Sequence, residues 1–165
     1  MVQTTDTAIA TTKSLTNEAL RRLAQREHGE EELRRKLLSS TDNTEDVNMV
    51  ISQLKQAGHL NDERFIEAYA QSRVRRGFGP LRICAELKEK GIKQEAIEDI
   101  LAIWQSSWHS LAKRALEKKY NARMRLLKQG GDAEKKALML AQKRFLLYRG
   151  FESSTIQQIF KEIFS

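Results

Sequence analysis

Three histidines, one cysteine and a glycine-arginine loop are the parts of this sequence whose residue types could do chemistry. His28, His59 and His109 lie 31 and 50 residues apart, with no cysteine or carboxylate at metal-ligand spacing, so no metal site is expected. Cys84 stands beside Ile83 and Leu87 on the inward stripe of a predicted helix, where a small packed side chain is preferred to a reactive thiolate. The stretch "RGFGP" has the glycines of a phosphate-cradling loop but not the Gly-Lys-Ser/Thr that would reach phosphates and magnesium. Nucleotide hydrolysis is therefore not expected, and no catalytic residue or cofactor is assigned. A helix beginning at Gly79–Pro80 could still hold one phosphate on backbone donors, although proline removes one of them.

The same loop belongs to "RVRRGFGPLR", in which Arg73, Arg75, Arg76 and Arg82 surround two glycines and the only proline of the chain. Either this is a solvated loop or it is a docking surface for phosphates or acidic protein. The charge distribution is uneven, which fits docking and a well-solvated basic surface alike. Of the net +7, residues 1–72 contribute −3 (9 Lys/Arg against 12 Asp/Glu) and residues 73–165 contribute +10 (20 against 10). Such polarity points to an anionic partner, nucleic acid first. Phe78, flanked by glycines, has no helical stripe to join and either plugs a gap between helices or faces a partner. Trp104 and Trp108 could stack on bases, but Trp104 falls in register with Leu54 and Ile163 and reads as core.

The elements that must position these residues are helical. Proline is scarce, helix formers dominate, and apolar residues recur at helical spacing almost throughout. The fold class is all-α. After a Thr-rich tail, expected to be disordered over residues 1–14, Thr16 can cap a helix with Leu20, Leu23 and Ala24 on one face. "EEELRRKLLSS" forms a second helix, and Thr44 begins a third that ends at Gly58. "NDERFIEAYAQSRVRR" follows, its stripe made of Phe65, Ala68 and Tyr69; then come "GPLRICAELKEKG" and "KQEAIEDILAIW". A shift of 50 residues lays Leu33, Leu37, Val47, Val50, Ile51 and Leu54 on Ile83, Leu87, Ile97, Ile100, Leu101 and Trp104. A further shift of 59 lays Leu87, Gly91, Ile92 and Ile97 on Leu146, Gly150, Phe151 and Ile156. The match fails where Ile83 meets Gln142 and where Asp42 stands in the place of Ile92.

A three-helix unit is thus used three times, over residues 15–58, 59–104 and 105–165, stacked into an elongated molecule. In the last copy a basic connector is expected through "NARMRLLKQGGD", before a helix opened by a capping box from Ser154 to Gln157. Three-helix units also raise the possibility of a recognition helix in a DNA groove. Glu45 and Asp46 in one third helix, and Glu95, Glu98 and Asp99 in the next, would repel the phosphates lining that groove. No apolar run reaches the length of a membrane span, and the N-terminus lacks the pattern of a secretory signal. The lone cysteine suits a reducing cytoplasm, and a monomer is expected.

Three stretches, "HGEEELRRKL", "HLNDERFIEAYAQSRVRRGFGPLRICAELKEKGI" and "QKRFLLYRGFESSTIQQIF", resemble in order and spacing the RecX family, bacterial regulators of the RecA recombinase. The resemblance covers nearly the whole chain after the tail. It implies three tandem three-helix modules in a curved molecule, binding within the RecA filament with some affinity for single- or double-stranded DNA. It also implies inhibition of filament extension, ATP hydrolysis, strand exchange and co-protease activity. His59, at a position often aromatic in the family, and Lys93, where serine is frequent, depart from the pattern. The candidate recombinase- and DNA-binding residues are Arg73, Arg75, Arg76, Arg82, Lys88 and Lys90. The basic third module adds Lys118, Lys119, Arg123 and Arg125.

Overall fold

The computed structural model describes the backbone over residues 3–127 and 131–164, and side chains over residues 12–121 and 131–162. It is all-α, with no strand among the described residues. The helices are α1 (Gln3–Gln25), α2 (Glu30–Leu38), α3 (Thr44–Gln56), α4 (Asp62–Arg75) and α5 (Pro80–Glu89). They continue with α6 (Gln94–Ala102), α7 (Trp108–Leu127), α8 (Asp132–Arg149) and α9 (Ser153–Phe164), with a 3-10 turn at Gln105–Ser107. The chain divides into two compact units, one of residues 1–68 with 87–96 and one of residues 69–86 with 97–165.

In the first unit α1, α2 and α3 pack on one another around Leu15, Ala19, Leu33, Leu37, Val47, Val50, Ile51 and Leu54, all buried. Leu20 and Leu23 lie at the edge of this core, as their spacing predicts, whereas Ala24 is exposed. The helix that was expected to start at Thr16 runs back to Gln3, across the stretch expected to be a disordered tail. Thr16 is therefore no cap. Its Oγ1 donates to the Thr12 carbonyl at 2.9 Å, one turn back, a bond open to threonine inside a helix. The cap of α3 is Asn43, whose side chain accepts from the N–H groups of Glu45 and Asp46.

The second unit packs α7, α8 and α9 together. Its buried side chains include Ile83, Ile97, Trp108, Leu116, Phe145, Leu146, Phe151, Ile156 and Ile159. The repeated phase read from the sequence survives in its caps. Gly91 donates to Lys88 and Ile92 to Leu87; likewise Gly150 donates to Leu147 and Phe151 to Leu146, at 2.9 to 3.1 Å. Both glycines have φ of +83°, the left-handed turn that closes such a cap. Gln142, which breaks the repeat, is 2% exposed and takes a core position all the same.

Other expectations are corrected. Ala68 is exposed, and the buried stripe of α4 runs through Phe65, Ile66, Ala70 and Val74. Residues 121–127 extend α7, since "NARMRLL" is made of good helix formers, instead of forming a connector. Ser154 lies inside α9 and donates to the Glu152 carboxylate at 3.3 Å, so the expected capping box does not open the helix. Trp108 is the buried tryptophan; Trp104 is half-buried, with ring centroids 6.2 Å apart. Among the described residues no helix is long and apolar enough to cross a membrane.

Candidate interaction surface

The loop between α4 and α5 is fastened to the end of α8 by backbone. Gly79 N–H donates to the Arg149 carbonyl at 2.8 Å and Leu81 N–H to the Gly150 carbonyl at 3.0 Å. A Cβ on Gly79 would stand 2.5 Å from the Gly150 oxygen, and one on Gly150 would stand 2.5 Å from Arg82 N, so only glycines permit the crossing. This splice also settles the fate of the α5 N-terminus. Proline has no N–H, and the N–H groups on either side of it donate to carbonyls at the end of α8, so neither is open to the phosphate considered above.

Above the splice, cations and rings alternate. The Arg73 guanidinium lies 4.9 Å from the Tyr69 ring centre and 5.4 Å from that of Phe78. Arg82 lies 4.8 Å from Phe78 and 5.0 Å from Tyr148, and Arg149 lies 4.6 Å from Phe78. Phe78 is therefore half-buried, neither a plug in the core nor a free contact: it is the ring on which three arginines stack. Glu86 fixes two of them. Arg73 Nε is 2.7 Å from Glu86 Oε2, an ion pair without hydrogen-bond alignment, and Arg82 Nε donates to Oε1 at 3.1 Å. Tyr69 Oη donates to the same carboxylate at 2.9 Å and accepts from Arg73 at 2.8 Å. Burial, with the adjacent Glu86 charge, pushes the Tyr69 phenol up, so it stays protonated as that donor.

Beside this column lies a groove of about 280 Å³. Its apolar lining is Val74, Leu111, Ala115 and Phe145, supplied by α4, α7 and α8. Arg75, Arg76, Arg114, Lys118, Lys119 and Arg149 complete it, and no carboxylate lines it. None of these six cations forms an ion pair among the described residues. Their partners are neutral. Arg75 donates to the Gln71 amide oxygen at 2.6 Å and Arg149 to the Arg76 carbonyl at 2.8 Å, while Lys119 Nζ sits 4.2 Å from the Phe145 ring centre.

The ten residues singled out from sequence are thus distributed. Arg75, Arg76, Lys118 and Lys119 meet in the groove; Arg73 and Arg82 are held by Glu86 beside it. Lys88 and Lys90 belong to the first unit, where Lys90 Nζ is 3.3 Å from Glu32 Oε2. The side chains of Arg123 and Arg125 lie outside the described residues. Sequence reasoning missed Arg114, Arg149 and Tyr148. Arg149 precedes the glycine aligned with Gly91, and that alignment was the one signal available for it.

Among the described residues no group of three or more His, Cys, Asp and Glu side chains is placed to hold an ion. His28, 2% exposed, is bonded through Nδ1 to the Arg26 carbonyl at 3.0 Å and through Nε2 to Lys36 at 3.3 Å. Burial lowers its pKa, so it stays neutral, donating to the carbonyl and accepting from the lysine.

Comparison with known proteins agrees with this fold. Residues 61–101 match the family description of the second three-helix domain of RecX. The regulatory protein RecX of Legionella pneumophila is 37% identical over 145 residues, covering 88% of this chain and 91% of its own. The chain belongs to the RecX family. Regulatory protein RecX of Escherichia coli is 37% identical over 157 residues, covering 89% of this chain and 90% of its own. The crystal structure of RecX from Lactobacillus salivarius superposes with a TM-score of 0.76 at 23% identity, covering 93% of this chain and 97% of that one. At that identity the likeness establishes the shared fold.

Proposed function

We propose that this RecX family member binds RecA–DNA filaments and inhibits their extension, ATP hydrolysis, strand exchange and co-protease activity, thereby modulating recombination and DNA repair. The observation that carries the reading is a groove lined, among the described residues, by six cations without a carboxylate partner, on a chain 37% identical to regulatory proteins over most of its length. A filament of protein on DNA is a polyanion whose field reaches such a surface, and neutralising phosphates releases counterions. The protein acts by binding in the cytoplasm, as a monomer of three helical modules, and carries no catalysis of its own.

The test is binding to free DNA, free RecA and assembled filament, with RecA ATPase followed in parallel. Preference for filament with loss of ATPase is expected. Equal affinity for bare DNA without inhibition would instead make this a general nucleic-acid-binding protein. ATP hydrolysis that scales with this protein in the absence of RecA would overturn the non-enzymatic part.

A further inference from the structure

We infer that the groove between α4, α7 and α8 takes an acidic peptide segment carrying an apolar side chain, in preference to a nucleic-acid backbone. The inference rests on the reading of this surface as the partner-binding one, and adds the chemistry of what enters it.

Two features of the lining decide the class. The guanidinium groups of Arg75, Arg76, Arg114 and Arg149, without a carboxylate partner among the described residues, match carboxylates or phosphates equally in charge, since arginine's fork donates two parallel bonds to either. The apolar lining discriminates between them. A sugar-phosphate backbone brings only short methylenes wedged between its charges, a poor cover for Val74, Leu111 and Ala115. Bases would need an open aromatic face, and Phe145, the one ring among the described lining residues, is 8% exposed and faced by Lys119 at 4.2 Å and Arg149 at 5.1 Å. A peptide supplies both parts, carboxylates for the cations and a leucine-like side chain for the apolar lining.

The experiment uses the full chain and two labelled probes, a ten-residue peptide of Glu and Asp around one central leucine and an oligo-dT of equal charge. Fluorescence anisotropy at moderate salt should show tighter binding of the peptide. Replacing its leucine by serine should weaken binding at least fivefold, and Arg114→Glu, on an exposed position, should weaken it at least tenfold. Ala115→Leu, which fills the apolar lining without changing charge, should reduce peptide binding while leaving oligo-dT binding within twofold. Circular dichroism checks that both variants fold. Oligo-dT binding that is tighter and lost in Arg114→Glu, peptide binding indifferent to the leucine, or peptide binding unchanged in Arg114→Glu would each overturn the inference. Filament inhibition measured on the same variants separates the two claims. If Arg114→Glu abolishes inhibition while the peptide never binds, the regulatory reading stands and the peptide site falls. If the peptide binds as described but the parent protein leaves filaments untouched, the reverse holds.

Discussion

Arg22, Arg34, Lys55 and Arg64 of the first unit each lie against a carboxylate, at 2.6, 2.6, 2.6 and 3.1 Å. Arg75, Arg76, Arg114, Lys118, Lys119 and Arg149 of the second unit line one groove and meet none among the described residues. The residue types are the same, and their consequences differ. Partly exposed pairs contribute about 0–1 kcal/mol each to stability and cancel their own field at a distance. The six groove cations repel one another, and their neutral partners leave their field uncancelled, so they attract whatever anion can spread along them. On the function proposed above, the paired cations of the first unit would serve the fold and the groove cations of the second would serve binding. Glu86, which holds Arg73 and Arg82, sits between these cases.

The largest effect expected comes from disturbing the splice that sets the open groove. Gly150→Ala adds a Cβ 2.5 Å from Arg82 N at a φ of +83°, and should cost about 3 kcal/mol and lower the melting temperature on the order of 10 °C. Thermal unfolding checks it; an unchanged midpoint would mean that the crossing is not close. Arg149 should lose its bond to Arg76, and the groove its geometry.

Next comes the most heavily neutralised carboxylate. Burial would raise the pKa of Glu32, but the hydrogen bond and charge of Arg26, with Lys90 and Lys36, hold it down at about 2 against an ordinary 4.5. A carboxyl whose pKa is depressed on folding stabilises above its unfolded value, and the gain is lost as pH falls from about 4.5 towards 2. Glu32→Gln should cost about 2 kcal/mol at neutral pH and flatten stability across that acid window. Urea titrations at pH 7 and pH 3 measure this, and equal losses at both pH values would contradict it.

Converting a neutralised pair into an open one should have a smaller and opposite result. Glu86→Gln frees Arg73 and Arg82, so oligonucleotide affinity at low salt should rise about threefold, with a salt slope steeper by up to about two phosphate contacts. The cost in stability should stay near about 1 kcal/mol. Weaker binding would mean that the two arginines bind only when oriented by Glu86.

How much of this was legible in the sequence depended on range. Helices, their apolar stripes and the caps at Gly58, Gly91 and Gly150 are set by neighbours within a turn or two, and the periodicity displays them. The four arginines of "RVRRGFGPLR" were visible as a cluster. Their sorting was not. That Glu86 would bind Arg73 and Arg82 while Arg75 and Arg76 stay open depends on which side of α4 meets α5. Arg149 reaches the Arg76 carbonyl across 73 residues of chain, and no local pattern encodes that distance. Thr16 misled for a related reason: a good cap residue is also tolerated inside a helix when its hydroxyl bonds the preceding turn.

The central claim is that position, not the amount, of positive charge makes the binding surface. Two variants test it at equal net charge: Arg75, Arg76, Arg114 and Lys118 replaced by alanine, against Arg22, Arg34, Lys55 and Arg64 replaced by alanine. Each removes four positive charges, and the midpoint concentration for inhibition of RecA ATPase on single-stranded DNA is read for both. The groove variant should lose at least tenfold, equivalent to about 1.4 kcal/mol, and the first-unit variant less than twofold. Equal losses in both, or a folded groove variant that inhibits at the parent concentration, would contradict the account.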